Sequence, residues 1–252
     1  MRELFFYDAM CAAGLACNDG TAARTPEALL TEMDRFGVDR ALVRHANLAA
    51  IHAGLSNRII ADFIRSDRSG RLKGVWCILP EQCGELPGPE EFFRLMRENR
   101  IGALTLAPFQ HRWIPCRLTI GRILDAAAER RIPVLLDGFA GSWKEVYTFL
   151  EAFPRNITLL QDRSKHGPDR LIRPLLEHYE NFHYVISCHW VPEGIRDLAE
   201  CYGAERLLYG SDYPIFNHGS MMLPLKQCGL PLADIRKIAG KNLENLLNGA
   251  EL

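Results

Sequence analysis

Eight short apolar segments recur along the chain, and most are separated by a segment whose apolar residues have helical spacing. Eight strands that alternate with helices are the number that closes a (β/α)8 TIM barrel. We therefore predict an α/β fold in which residues 1–252 form a single barrel domain. The apolar segments lie at residues 4–8, 40–46, 72–79, 102–107, 132–138, 157–162, 183–189 and 206–212.

Several segments also carry the residues that mark helix boundaries. Thr25 and Pro26 predict an N-cap and a first helical position, and Gly37 predicts the end of the same helix. Residues 235–247 predict a last amphipathic helix that seals the barrel. The main alternative is an open doubly wound sheet, but no G-x-G-x-x-G motif follows the first strand to favour it.

The charge of the chain is almost balanced, with 30 Lys and Arg residues against 31 Asp and Glu residues. No basic cluster stands out, so we expect no nucleic-acid partner. The first apolar segment is far too short for an export signal or a membrane span, so we expect a cytoplasmic protein with no membrane partner. The eight cysteines form no C-x-x-C pair, which favours reduced thiols over disulfides or a structural zinc site.

The side chains at the C-terminal ends of barrel strands meet in one mouth, where the functional site is expected. The candidate site residues are therefore those at or just after the ends of the apolar segments. Arg112 is added because it lies in the loop after the fourth strand, which is placed to cover the mouth. The strand-end candidates are Asp8, Cys11, Arg44, His45, Trp76, Cys77, Thr105, Asp137, Asp162, Ser187, Cys188, His189, Ser211 and Asp212.

The segment GAERLLYGSDYPI at residues 203–215 is similar to the strand-eight segment of the amidohydrolase superfamily, which ends in Gly-Ser-Asp-Tyr-Pro. Residues 25–43, 129–138 and 235–247 match the framework of that family in character and order. The chain most resembles the branch that includes aromatic-acid decarboxylases and small lactonases. The resemblance implies a TIM barrel and a hydrolase or lyase that acts on a small, carboxylated molecule.

The metal ligands of that family are largely replaced in this chain. Its first strand usually carries Asp-x-His-x-His, in which both histidines bind a divalent metal. The segment DAMCAAG at residues 8–14 keeps Asp8 and Gly14 but has Met10 and Ala12 at the histidine positions.

The histidines that the family usually has on strands five and six fall on Asp137 and Asp162, and of the usual metal ligands only Asp212 is retained in kind. An isolated carboxylate does not lower the pKa of water as a bound metal does. We therefore expect the usual metal centre to be lost or rebuilt, with no metal and no other cofactor. The alternative is an oxygen-ligated Mg²⁺, Mn²⁺ or Ca²⁺ held by these carboxylates.

We assign provisional roles on this basis. Asp212 is the general base, as the resemblance implies, and His45 and His189 are its catalytic partners. Arg44 is the anchor for an anionic substrate, because a guanidinium binds a carboxylate through two hydrogen bonds. Four further residues are expected to contact the substrate, and these are Cys11, Arg112, Asp137 and Asp162.

Two functions stay open at this point. The first is a hydrolase or lyase that works without the usual metal and has a small-molecule substrate. The second is a non-catalytic barrel that binds a small molecule or a partner subunit, which the missing histidines favour. A homodimer is a weaker expectation, with residues 219–223 as the contact.

Overall fold

The computed structural model describes residues 4–14, 22–137, 142–163 and 168–252. Its strands form an eight-stranded sheet in sequential order, and each strand runs parallel to the next. This order confirms the predicted (β/α)8 TIM barrel. The strands are β1 Tyr7–Ala13, β2 Arg40–His45, β3 Leu72–Cys77, β4 Ile101–Thr105, β5 Val134–Asp137, β6 Thr158–Gln161, β7 Phe182–Val185 and β8 Leu207–Leu208.

Helices connect the strands and cover the outside of the barrel. Thr25 caps the first helix by accepting a hydrogen bond from Ala28 N at 3.2 Å, and Gly37 ends it with a φ of 82°. Both boundary predictions are therefore confirmed. The helices in the described residues are α1 Pro26–Phe36, α2 Ala53–Ser66, α3 Pro89–Glu98, α4 Arg117–Glu129, α5 Trp143–Ala152, α6 Asp169–His178, α7 Gly194–Tyr202, α8 Met222–Gln227, α9 Leu232–Arg236 and α10 Asn242–Asn248.

The apolar residues form two layers, one inside the barrel and one between the strands and the helices. Alternate residues of a strand point to opposite faces, so each strand contributes to both layers. The larger outer cluster includes Tyr184 of β7 and Cys11 of β1. The inner cluster includes Met10, Leu42, Val75, Ala103, Leu135, Leu159, Val185 and Leu208. Because side chains alternate, a polar residue two positions after an inner apolar residue of the same strand also points into the barrel.

Strand β1 differs from its prediction. The segment DAMCAAG was expected to leave the strand and turn, but β1 continues to Ala13, and the register with β2 shifts between Asp8 and Cys11. The physical cause is local, because Asp8 Oδ1 accepts a hydrogen bond from Met10 N at 3.0 Å. A side chain thus takes a backbone donor, and the strand bends without ending.

The barrel closes between its first and last strands through a small number of bonds. Strand β8 has only the two residues Leu207–Leu208. Ala9 N donates to Tyr209 O at 3.0 Å, and Ala12 N donates to Tyr213 O at 2.9 Å. We call this junction the seam; side chains complete it, as described below.

The C-terminal segment covers the bottom of the barrel near the start of β1. The predicted last helix is present as α9, a π-helical turn at Lys237–Lys241, and α10. Gly240 lies in that turn, and a Cβ there would lie 2.7 Å from Phe5 O, so only glycine permits this approach. No helix of the described residues combines the length and apolar character needed to cross a membrane.

The segment 219–223, which we weighed as a dimer contact, is largely packed inside the fold. Met221 and Met222 are buried, and only Leu223 among its large apolar side chains is exposed. Met221 belongs to the outer core cluster. The segment therefore offers a single exposed apolar side chain for contact with another chain.

Candidate functional site

A cavity of about 400 Å³ opens at the C-terminal mouth of the barrel. Arg44 at the end of β2 and Thr105 at the end of β4 lie on its wall, as the strand-end argument predicts. The charged side chains on its wall are Arg44, Glu145 and Arg163. The remaining lining residues are Ala46, Leu48, Ala49, Leu106, Ala107, Pro108, Phe109, Gln110 and Ile215. The mouth therefore combines an apolar wall with two guanidinium groups and one carboxylate.

Arg163 holds the carboxylate of Asp212 through two hydrogen bonds. Its Nε donates to Oδ2 at 2.8 Å, and its Nη2 donates to Oδ1 at 2.9 Å. The Asp212 side chain is 1% exposed and the Arg163 side chain 38% exposed, so the cation lies on the cavity side of the carboxylate. Both carboxylate oxygens of Asp212 therefore accept charge-assisted hydrogen bonds from one guanidinium group.

The backbone at Asp212 is unusual, with a φ of 59°. A non-glycine residue with positive φ is uncommon, although aspartate is among the residues that tolerate it best. Asp212 O accepts from Ile215 N at 2.9 Å, which closes a turn directly after the seam. Strained backbone of this kind concentrates at functional sites, and here it directs the one retained ligand-type carboxylate toward Arg163.

Asp8 anchors this turn from behind. Its Oδ1 accepts from Ser211 N at 2.9 Å, and its Oδ2 accepts from the Ser211 hydroxyl at 2.5 Å. Oδ2 also lies 2.8 Å from Nδ1 of His218, and all three side chains are fully buried. Together with the bond from Met10 N, four groups converge on one carboxylate. Asp8 therefore fixes the position of the residue that precedes Asp212.

The metal positions of the resembled family do not fit a metal here. Met10 and Ala12 are buried and offer no imidazole, and Met10 belongs to the inner apolar cluster. The carboxylate of Asp212 is already held by Arg163. Asp137 is the last residue of β5, and its side chain lies outside the described residues.

The structure brings only some of the predicted site residues to the cavity. Arg44 lines it, and Asp212 lies behind Arg163. Arg112 lines a neighbouring cavity that shares Pro108, Phe109 and Glu145 with the first. Cys11 is buried in the outer cluster, away from the cavity wall.

The two predicted catalytic histidines do not line the mouth cavity. His45 is buried beside Gly14, and its Nδ1 accepts from Asn47 N at 3.2 Å. His189 follows β7 and lines a separate cavity at the start of α7. Its Nδ1 lies 3.4 Å from the hydroxyl of Tyr184, a residue of the outer cluster. Their assignment as catalytic partners of Asp212 stays a prediction.

Asp162 also lies toward the outer layer of the barrel. It is half-buried, and its charge helps to raise the pKa of Tyr184 and of Cys188, both of which burial already raises. Gln161 is the residue whose side chain points inward, and it donates to the Ser187 hydroxyl at 2.9 Å inside the barrel. The alternation of β6 thus directs the side chain of residue 161 into the barrel, and the substrate contact proposed for Asp162 stays a prediction.

Burial lowers the pKa of both His45 and His189, and the charge of Arg44 lowers the pKa of His45 further. Such histidines take up a proton more readily in the unfolded chain, where the pKa of a histidine side chain is about 6.5. Above that pH the two neutral histidines cost the folded state nothing, and the free energy of unfolding has its full value. Below that pH the free energy of unfolding falls, by up to about 1.4 kcal/mol per pH unit for each histidine. Denaturant unfolding between about pH 7 and about pH 5 should show a smaller pH slope for His189→Gln than for wild type.

The exposed His178 at the end of α6 supplies the control, because its imidazole faces water in the folded chain. His178→Gln should keep the wild-type slope. Equal slopes for His189→Gln and His178→Gln would contradict a buried neutral imidazole at residue 189.

Three residues of this site were not singled out as site residues from the sequence. Arg163 directly follows the strand-end residue Asp162, and its neighbours in the sequence do not indicate that it pairs with Asp212. Gln161 could have been found by counting alternate residues from Leu159 along the sixth strand. His218 follows the Gly-Ser-Asp-Tyr-Pro segment, but nothing in its local sequence indicates that it folds back onto Asp8, which is 210 positions away.

Several solved structures share this fold over nearly the whole chain. A 2,6-dihydroxybenzoate decarboxylase from Rhizobium is 14% identical, with a TM-score of 0.74 over 97% of this chain and 99% of its own. A probable 2-pyrone-4,6-dicarboxylic acid hydrolase from Acinetobacter baumannii, solved with citric acid, is 14% identical, with a TM-score of 0.68 over 97% of this chain and 100% of its own.

A dihydroxybenzoic acid decarboxylase from Polaromonas, solved with manganese and the inhibitor 2-nitroresorcinol, is 12% identical, with a TM-score of 0.70 over 97% of both chains. At these identities the likeness shows the fold alone. A search of curated proteins gave no match. The family model described as amidohydrolase matches residues 12–248, which is most of the sequence. The chain therefore belongs to the amidohydrolase family.

Proposed function

We propose that the protein is a hydrolase or lyase that acts on a small carboxylated molecule at the barrel mouth without the usual metal of its family. The observation that carries the proposal is the presence of Arg44 and Arg163 on one cavity of about 400 Å³, with the Asp212 carboxylate directly behind Arg163. Two cations on a partly apolar wall suit a compact anion. The similar structures include a 2,6-dihydroxybenzoate decarboxylase and a probable hydrolase of 2-pyrone-4,6-dicarboxylic acid, whose named substrates are carboxylated rings.

In this proposal the two arginines have different tasks. Arg44 is nearly buried at the end of β2 and binds the substrate carboxylate through its guanidinium. Arg163 is more exposed and stays with Asp212, so it aligns the base and balances its charge while the substrate is bound.

Arg112, which lines the neighbouring cavity, and Asp162 are kept as further proposed substrate contacts, and so is Asp137, whose side chain lies outside the described residues. Cys11 is not kept, because it is buried in the outer cluster away from the cavity wall.

Asp212 takes the proton in the chemical step. Each carboxylate oxygen can accept more than one hydrogen bond, so the contact with Arg163 leaves room for a water molecule or a substrate hydroxyl. Removal of a proton from water generates the nucleophile for an activated ester or lactone. In a decarboxylation, Asp212 would instead take the proton of a ring hydroxyl and return it to the ring carbon that bears the carboxylate; the C–C bond then breaks, carbon dioxide leaves and its electron pair restores the aromatic phenolate. Both reactions need less electrophilic assistance than the hydrolysis of an amide.

His45 contributes to the proposed site as a neutral residue. Burial and the neighbouring Arg44 lower the pKa of its imidazole, which keeps a second positive charge away from Arg44. His189 is separated from the cavity by its position at the start of α7, and in this proposal it orients the loop after β7. Neither histidine is required to transfer the proton that Asp212 accepts.

A non-catalytic binding barrel is the second candidate. The observation that favours it is the presence of Met10 and Ala12, both buried, where the family usually has imidazoles. Such a protein would bind carboxylated rings at the mouth and release them unchanged. Incubation with dihydroxybenzoates and carboxylated lactones, followed by chromatography of the products, separates the two candidates. Turnover supports the enzyme, whereas a ligand-dependent rise in unfolding temperature without any turnover supports the binding protein.

Replacement of Arg44 by glutamine should weaken the use of carboxylated substrates. A charge-assisted pair contributes about 1.5–3 kcal/mol, so we expect KM, or Kd for a ligand that is not turned over, to rise about 10- to 100-fold. The methyl ester of the same compound should lose far less affinity. Arg122, which pairs with Glu81 on the outside of the barrel, offers the matched control Arg122→Gln. An equal effect of Arg44→Gln on the acid and on its methyl ester would contradict the role of Arg44.

A further inference from the structure

Asp8, Cys11 and His218 form a buried cluster on the outer side of β1, at the seam. One potential ligand atom of each residue lies within 4.8 Å of the other two. The three residues are at most 1% exposed. None of the three lines the mouth cavity, so the cluster is separate from the site proposed above.

The donors of this cluster are a carboxylate oxygen, a thiol sulfur and an imidazole nitrogen. This mixture suits Zn²⁺, which binds all three donor types, and does not suit Mg²⁺ or Ca²⁺, which prefer oxygen alone. From these residues we propose that the cluster is a structural site for Zn²⁺ or a similar borderline cation. The site joins the first strand to the loop after the last strand and so completes the seam.

The imidazole of His218 is free to serve such an ion. Its only polar partner among the described side chains is Asp8, and its Nε2 is buried without a hydrogen bond. A buried polar atom without a partner is uncommon in a native protein and is one sign of an ion that completes the site. The ring is also held by Tyr213, which stacks on it at a centroid distance of 4.7 Å.

The thiol of Cys11 is the second reason. Burial raises its pKa well above the usual value, and the charge of Asp8 raises it further. In the absence of a cation this thiol is therefore an inert, protonated side chain next to a carboxylate. A divalent ion would displace the thiol proton, which is released to solvent. The charge of the ion would then balance the Cys11 thiolate and the Asp8 carboxylate, and both groups would serve as its ligands.

Entry of the ion needs a local rearrangement. His218 Nδ1 already lies 2.8 Å from Asp8 Oδ2, so Nε2 is the imidazole atom that would bind the ion, and the ring must turn before Nε2 and the Asp8 carboxylate can bind it together. The Ser211 hydroxyl, 2.5 Å from Asp8 Oδ2, is the nearest further oxygen for a fourth position. Because the cluster is sealed from solvent, the ion has a structural role and does not reach substrate.

The test uses the full-length protein expressed in minimal medium supplemented with zinc or with cobalt. We expect elemental analysis to find a stoichiometric ion, and the cobalt protein to show thiolate-to-cobalt charge-transfer absorption. Cys11→Ser should abolish that absorption. It should also weaken zinc binding by more than the roughly 10- to 100-fold that is typical of losing an outer-shell partner. Absence of a bound ion from the wild-type protein in both media would overturn the proposal.

Cys77 supplies the matched control. It is as buried as Cys11, and its thiol donates to the backbone at Ile78 O, at 3.6 Å. Cys77→Ser should keep both the ion and the absorption; an ion that survives Cys11→Ser but not Cys77→Ser would overturn the assignment. If Cys11→Ser does not fold, zinc in excess should still raise the unfolding midpoint of the wild-type protein relative to a chelator, and equal midpoints would also overturn it. None of these outcomes depends on turnover at the mouth.

Discussion

Replacement of Asp8 by alanine is expected to lower the free energy of unfolding by about 3–5 kcal/mol. The substitution leaves two buried backbone donors, Met10 N and Ser211 N, without this acceptor, and it leaves the Ser211 hydroxyl only the more distant Met10 O at 3.4 Å. It also removes the carboxylate that pairs with the His218 imidazole. Each orphaned donor carries its own desolvation cost, so the effect exceeds that of an ordinary surface change. Urea or guanidinium denaturation of the purified variant measures the loss.

Two further variants show whether the lost hydrogen bonds are responsible. Asp8→Asn keeps an oxygen for Met10 N and Ser211 N, and its amide can donate to the Ser211 hydroxyl, so we expect a loss of only about 1–2 kcal/mol. Asp62→Ala removes an exposed carboxylate that pairs with Arg65 on α2 and should change stability by less than about 0.5 kcal/mol. A loss for Asp8→Ala no larger than that for Asp62→Ala would show that the convergence on Asp8 is not stabilising.

Asp212→Asn should reduce kcat by about 10²- to 10⁴-fold on whichever carboxylated substrate is turned over. The amide has nearly the same shape but is a much weaker base, and its NH₂ group faces the guanidinium of Arg163 in place of an oxygen. Affinity for the substrate should change far less, because Arg44 still binds the carboxylate. Steady-state kinetics give kcat, and calorimetric titration with an unreactive analogue gives the affinity.

Asp125 offers a carboxylate with the same kind of partner but outside the mouth. Arg117 donates to both of its oxygens, at 2.8 and 2.6 Å, on the surface of α4. Asp125→Asn should therefore keep the wild-type kcat. Equal kcat values for wild type and Asp212→Asn would exclude Asp212 as the proton acceptor and leave the fold with a different mechanism.

The barrel itself was predictable because its signals repeat. Eight apolar segments and the helices between them each report the same architecture, so an error in one boundary does not alter the count. The cap residues Thr25 and Gly37 were predictable for a related reason, since each acts on a backbone within four residues of itself. Helix boundaries that depend on such local contacts can be predicted without any knowledge of the tertiary structure.

The contacts of the site were less accessible, because they join residues that are distant in the sequence. Arg163 meets Asp212 across 49 positions, and Asp8 meets Ser211 across 203. Asp162 was chosen because it ends the sixth apolar segment and because the strand-six histidine of the resembled family falls on it, whereas strand alternation directs the neighbouring Gln161 into the barrel. The extension of β1 to Ala13 was not predicted. The strand continues past Asp8 because the Asp8 carboxylate accepts a hydrogen bond from Met10 N, and the residue pattern does not indicate that contact.

The seam also determines when the barrel can close during synthesis of the chain. The bonds of Ala9 and Ala12 reach Tyr209 and Tyr213, so one edge of β1 lacks its partner until more than four-fifths of the 252 residues have been made. A parallel strand edge that waits for a distant partner is open to pairing with other chains. On the ribosome, the nascent protein therefore passes through an open, incomplete barrel whose first strand needs protection until the segment after β8 emerges.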